Sequence, residues 1–283
     1  MKKLIDSGFL RLWKSPMLWI GLALMCGMSL LGVLNNFYYK TAWSEQAELI
    51  TADHTLLPDT SLCVIIVAVL IGLLIGREYS DKTVRNKLIA GHSRLEVYLS
   101  YLAVCVTAVL ILYVVPMLAV GLAVGAPLLG GFSLSVRAFV LPLLCEVLAL
   151  VAFASLFLLL VMAIASRPVG AIAVLLSALA LMVIPTMLND RLEVLEYVED
   201  YVYVEELDDF VSTGEMVQNP NYLSGAPRVI CQFLYDFLPG GALHRASPFA
   251  ESNTMSALPL YSLLFIAAST AGGLFVFRRK DIK

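Results

Sequence analysis

Few residues in this chain have the type and spacing that chemistry demands. A nucleophilic serine needs the turn G-x-S-x-G with a base and an acid in reach. Gly91-His92-Ser93 opens that pattern, but position 95 is Leu and the segment is a basic loop. Phosphate transfer from ATP needs the cradle G-x-x-x-x-G-K-[ST], and no Gly-Lys pair occurs anywhere in the sequence. Cys26, Cys63, Cys105, Cys145 and Cys231 form no CxxC pair and no Cys/His cluster, so neither a metal centre nor a disulfide framework is indicated. No catalytic residue and no metal ligand is assigned. One ionisable group stands out: Glu146 lies inside a long apolar run. Such a group is costly in lipid and is a functional candidate by default. It either contacts substrate or a proton along a translocation path, or is a protonated carboxyl bonded to a neighbouring helix.

The elements that must position these residues are membrane helices. The 283 residues are 60% hydrophobic and 14% charged, with mean hydropathy +0.85, whereas a soluble domain carries roughly a quarter charged residues. A bilayer core about 30 Å thick takes about 20 apolar residues of helix, and its lack of water forces the backbone to bond internally. Six runs qualify: Met17–Phe37, Leu56–Gly76, Val97–Val124, Phe139–Ala165, Pro168–Leu188 and Ala257–Phe277. The expected fold is therefore an all-α membrane protein, a single domain of six transmembrane helices over 1–283. Pro58 and Asp59 interrupt the start of the second run. The third runs past Gly125, where it is expected to bend or re-enter. Small-xxx-small pairs at Gly72/Gly76 and Gly121/Gly125 offer sites of close helix approach. Residues 1–16 lack an uninterrupted apolar core, so they are not read as a cleavable signal. Leu4/Ile5, Phe9 and Leu12/Trp13 recur at helical spacing instead, which suits a short surface helix.

Charge sets the orientation. Fourteen of the nineteen Lys and Arg fall in Met1–Pro16, Arg77–Glu96, Ser166–Arg167 and Arg278–Lys283, all on the side of the termini. The Lys/Arg excess marks cytoplasmic segments, so both termini are expected in the cytoplasm. The last outer loop, Asn189–Ser256, carries 12 Asp and Glu against 3 Lys and Arg. Its Glu193–Asp209 part is acidic with Val, Leu and Tyr interleaved. Its Val229–Leu238 part is apolar and stops at Pro239-Gly240-Gly241, as a short interfacial or re-entrant helix would.

The 77–96 loop is the one inner segment with internal pattern. Val84 and Leu88 mark a short helix with basic flanks. Gly91 suits its C-cap, and Ser93 with Glu96 three residues on forms a capping box for the next helix. On physics alone this helical elbow serves either partner docking or anchoring to anionic lipid.

The stretch Glu78 to Tyr98 resembles the first inner loop of bacterial ABC-2 type transporter permeases, whose pattern is E-Y-x-x-G-T-x-R-N-K-L-x-x-G-x-S-R. Glu78, Tyr79, Thr83, Arg85, Asn86, Lys87, Leu88, Gly91, Ser93 and Arg94 match it, and Lys82 stands where the family has Gly. The six-run order, the N-terminal surface (elbow) helix and the long last outer loop are similar too. The resemblance implies a multi-pass permease subunit of an exporter in the bacterial cell membrane, driven by a separate ABC ATP-binding subunit. It implies two such subunits per transporter, a second permease copy as homodimer or related heterodimer, and ATP with Mg on the partner rather than on this chain. The loop would then be the coupling helix, docked through the matched residues together with Val84; no nucleic-acid partner is implied. Leu223-Ser224-Gly225 matches only the start of an ABC signature, on the outer side. The acidic outer loop suits a cationic or amphipathic, antimicrobial-type peptide, and lipids, drugs and saccharides stay open. A secondary transporter would need inverted repeats and charges at the midplane, and a membrane immunity or sensor protein would need no tight ATPase partner.

Overall fold

In the computed structural model the described residues are 1–42, 50–132, 135–204, 209–246 and 257–280. The chain opens with α1 (Lys2–Trp13), which buries Leu4 and Leu12 and lies against the third span, with Gly8 facing Val104. Lys14 and Ser15 separate it from the first span, α2 (Pro16–Ala42). A short α3 (Asp53–Leu56) precedes the second span, α4 (Thr60–Ser80). That span starts four residues later than the apolar run. The reason is local: Asp59 is an N-cap whose side chain accepts from the backbone N–H of Ser61 and Leu62 at 2.8 and 3.1 Å, so Leu56 falls to α3.

Below α4 comes α5 (Thr83–Ile89), then α6 (Arg94–Pro116). The third span continues as helix past Gly125 as far as Leu129. After Pro116 it runs on through a π-helical segment, Met117–Gly125, into α7 (Ala126–Leu129). Proline lacks the N–H of a regular turn, and a π segment is one way for a membrane helix to re-satisfy the freed carbonyls. Both glycine pairs sit at close approaches: a Cβ on Gly72 would lie 3.0 Å from Ala171 Cα, and one on Gly121 would lie 2.8 Å from Leu56 O. The fourth and fifth spans are α8 (Val136–Ile164) and α9 (Arg167–Leu192).

The long loop between the fifth and last spans holds structure that the apolar pattern did not announce. β1 (Tyr197–Val204) pairs antiparallel with β2 (Asp209–Gln218), in a register running from Tyr197 opposite Gln218 to Val204 opposite Asp209. The signal was present, since alternating Val and Tyr among acids in Tyr197–Val204 is strand-like. Positions 205–208 and 247–256 of this loop lie outside the described residues. Next, α10 (Ala226–Phe237) leads at Leu238 into α11 (Pro239–Arg245). The first helix thus stops just before Pro-Gly-Gly, as the turn signal indicates, and Pro239 then starts a second helix whose glycines press on backbone. The Cβ of an alanine at 240 would lie 1.9 Å from Leu181 O. Pro239, Gly240, Gly241 and Ala242 are buried against α8 and α9, so it is α11 that enters the bundle. The last span is α12 (Leu258–Arg279).

The core lies where α4, α6 and α8 meet, around Val67, Ile71, Tyr98, Phe153 and Phe157. By contrast α2 and α9 keep long apolar faces uncovered, Trp19 to Leu34 and Val169 to Met187. Four cations close helix C-termini. Lys40 donates to Leu129 O, Arg228 to Leu192 O at 3.0 Å, Arg94 to Phe277 O at 2.5 Å, and Lys280 to Met162 O at 3.3 Å. The last carbonyls of a helix have no internal partner and carry partial negative charge, so a cation there answers both needs.

Candidate functional site

The turn after α4 fixes the geometry of the 77–96 loop. Lys82 adopts φ 54°, a left-handed conformation, at the position where the resembled pattern has glycine. A side chain is disfavoured there and glycine is not. From that turn α5 runs for seven residues and closes in a Schellman motif: the Gly91 N–H donates to Leu88 O at 3.0 Å, and the His92 N–H to Lys87 O at 3.3 Å. Gly91 sits at φ 91°, as that motif requires. Ser93 and Glu96 then form the reciprocal capping box that starts α6.

One face of α5 is tied to the bundle. Thr83 donates to Glu78 Oε2 at 2.7 Å, Lys87 to the same oxygen at 3.1 Å, and Tyr101 of α6 to it at 2.8 Å. Arg11 of α1 donates to Glu78 Oε1. The Glu78 side chain is 7% exposed and that of Lys87 11%. Lys87 also donates to the Tyr101 hydroxyl at 2.9 Å and lies over its ring. Burial holds the Lys87 amine below its ordinary range, and the Glu78 carboxylate opposes that shift. One buried carboxylate thus joins the elbow helix, the second span, α5 and the third span. Val84, beside it, is fully buried.

The other face of α5 is free. Lys82, Arg85, Asn86 and Ile89 are exposed and follow the i, i+3, i+4, i+7 spacing of one helical stripe. Ile89 is the most exposed large apolar side chain of this loop, at 72%.

These positions divide the residues that the sequence grouped together. Arg85 and Asn86 face outward. Gly91 and Ser93 shape the turn. Glu78, Thr83, Val84 and Lys87 face inward, with Leu88 partly covered. Tyr79 donates to the Met162 sulfur at 3.0 Å, and Arg94 caps α12. Val84, expected among the docking residues, is therefore buried; the outward apolar side chain of α5 is Ile89, which sequence reasoning passed over. The stripe 82–85–86–89 could have found it. Arg11 and Tyr101 were missed for a different reason, since their partner Glu78 is 67 and 23 positions away.

Glu146 lies apart from this loop, on α8. It is 6% exposed and accepts a hydrogen bond from Tyr113 of α6. That contact joins the third and fourth spans. A separate cavity of about 700 Å³ lies beside the C-terminal half of α2, lined by Ser29, Asn35, Asn36, Thr55 and Asp59 among apolar side chains. Among the described residues no group of His, Cys, Asp and Glu is placed to hold a metal ion.

A family model described as ABC-2 family transporter protein matches residues 4–188, from the elbow helix into the fifth span. No curated protein and no solved structure matches the chain.

Proposed function

The chain belongs to the ABC-2 transporter family, and from that premise we propose that it is an exporter subunit which takes its force from a partner ATPase through the outward stripe of α5. The chain is a multi-pass membrane protein and a permease component of an ABC transporter, a family that works with an ABC ATP-binding subunit. Members of that family are transmembrane subunits and not, in general, the ATPase.

Docking through α5 rests on the two-sidedness of that helix. Ile89 stands out among Lys82, Arg85 and Asn86, which supplies an apolar anchor inside a polar rim, as a docking contact requires. Behind it, Thr83 and Lys87 are held by Glu78. A push on Ile89 is therefore delivered to α1, α4 and α6 together rather than absorbed by a loose loop. ATP and Mg sit on the partner. Both termini are cytoplasmic, on the side with the Lys/Arg excess. Two bundles, identical or related, enclose the path. The acidic hairpin, with Glu199, Asp200 and Glu215, favours a cationic amphipathic peptide as cargo. Glu146 serves the bundle as a bond between spans.

The test is co-purification of the permease with its ATP-binding subunit from native membranes. Ile89→Asp and Arg85→Glu each strip that subunit away, whereas Val136→Asp, an equally drastic change at an exposed site at the start of α8, leaves it bound. Full retention by both loop variants would end the docking reading and return the loop to lipid anchoring.

A further inference from the structure

We propose that the cavity beneath the elbow helix binds an anionic phospholipid, with its phosphate between Lys14 and Arg167 and its acyl chain along α4. The cavity has a volume of about 560 Å³, within the size range of small-molecule sites. It is enclosed by the end of α1, the start of α2, the basic end of α4 and the start of α9. Its floor is apolar, formed by Met17, Leu70, Leu73 and Leu74.

Charge at the mouth is unbalanced in one direction. Four cations line it, Arg11, Lys14, Arg77 and Arg167, against two acids, Glu78 and Asp81. Both acids are already taken: Arg11 pairs with Glu78, and Arg77 with Asp81 at 3.3 Å. Lys14 and Arg167 are exposed and have no ion pair among the described residues. Two free cations above an apolar floor select a ligand with an anionic head and a hydrocarbon tail.

The height of the cavity selects a lipid over a soluble anion. Trp13, next in sequence to the lining residue Lys14, meets Trp19 edge to face at 4.9 Å; both are exposed, and Trp19 donates its indole N–H to Trp13 O at 2.9 Å. Exposed tryptophans of membrane proteins settle at the headgroup level. Lys14 is bonded in sequence to Trp13 and therefore lies at that level, where basic pockets between spans hold anionic headgroups.

Native mass spectrometry of the purified full chain, titrated with phosphatidylglycerol or phosphatidylcholine, reads the binding directly. Two surface cations at their usual strength give about a ten- to thirtyfold preference for phosphatidylglycerol. The pair K14Q with R167Q abolishes that preference. The pair K2Q with K3Q, which removes the same charge from the far end of the same helix, keeps it. Equal binding of the two lipids, persistence of the preference in the first pair, or equal loss in the second would each overturn the proposal. So would displacement of the lipid by millimolar inorganic phosphate, which would mark a plain anion site. Should the first pair not yield folded protein, K14Q and R167Q alone decide by the same comparison, each losing part of the preference.

Discussion

Removing the Glu78 carboxylate is the sharpest perturbation the structure offers. In Glu78→Ala, Lys87 keeps only the Tyr101 hydroxyl at 2.9 Å and the face of that ring. Its side chain is 11% exposed, so water cannot replace the lost partner. Breaking a buried pair from one side costs about 3–5 kcal/mol. Arg11 adds little, because it is 45% exposed and rehydrates. Thr83 keeps a second acceptor, Glu78 O at 2.8 Å. The expected loss is therefore about 3–5 kcal/mol, at least a hundredfold in the folded-to-unfolded ratio. Reversible unfolding in mixed detergent micelles measures it, with the emission of Trp13 and Trp19 reporting release of the elbow. The double variant Glu78→Ala with Lys87→Met removes the stranded charge and recovers about 2 kcal/mol or more. The pH dependence has a definite sign. Lys87 is held below its unfolded value near 10.4, and without Glu78 it falls further. The charged amine then opposes folding fully below the lowered value, and the deficit narrows as pH rises from there towards about 10.4. A loss below about 0.5 kcal/mol, no recovery in the double variant, or a deficit that widens with pH would refute the claim that Glu78 holds this junction together.

Three further outcomes follow from separate contacts. Gly240→Ala sets a methyl group 1.9 Å from Leu181 O, so α11 must shift, at a cost of about 2 kcal/mol or more; a melting curve matching the parent would contradict that packing. Lys82→Gly relieves a left-handed side-chain position at φ 54° and raises stability by about 1 kcal/mol at most, since glycine also loosens the unfolded chain; a lower melting temperature would argue against that turn. Tyr113→Phe strands the buried Glu146 oxygen it bonds and costs about 1–3 kcal/mol, while Glu146→Gln, which keeps an acceptor, costs less; the reverse order in the same unfolding assay would count against a bond between spans.

Much of the architecture is readable along the chain, because a bilayer acts on each segment alone. A helix must satisfy its own backbone and match its own length to the membrane, so the six spans, the elbow and the Ser93–Glu96 cap can be read without knowing any neighbour. The absence of a phosphate cradle is equally a property of the linear sequence. What the tertiary structure decided is which way side chains point and what meets them. Val84 and Ile89 are both β-branched aliphatics in one seven-residue helix, and only packing against the bundle makes the first buried and the second exposed. Glu78 finds Arg11 and Tyr101 from distant parts of the chain. Lys14 and Arg167 meet over one cavity although 153 positions separate them. Short-range rules write the helices; charge pairing and burial act through space, and sequence distance carries no record of them.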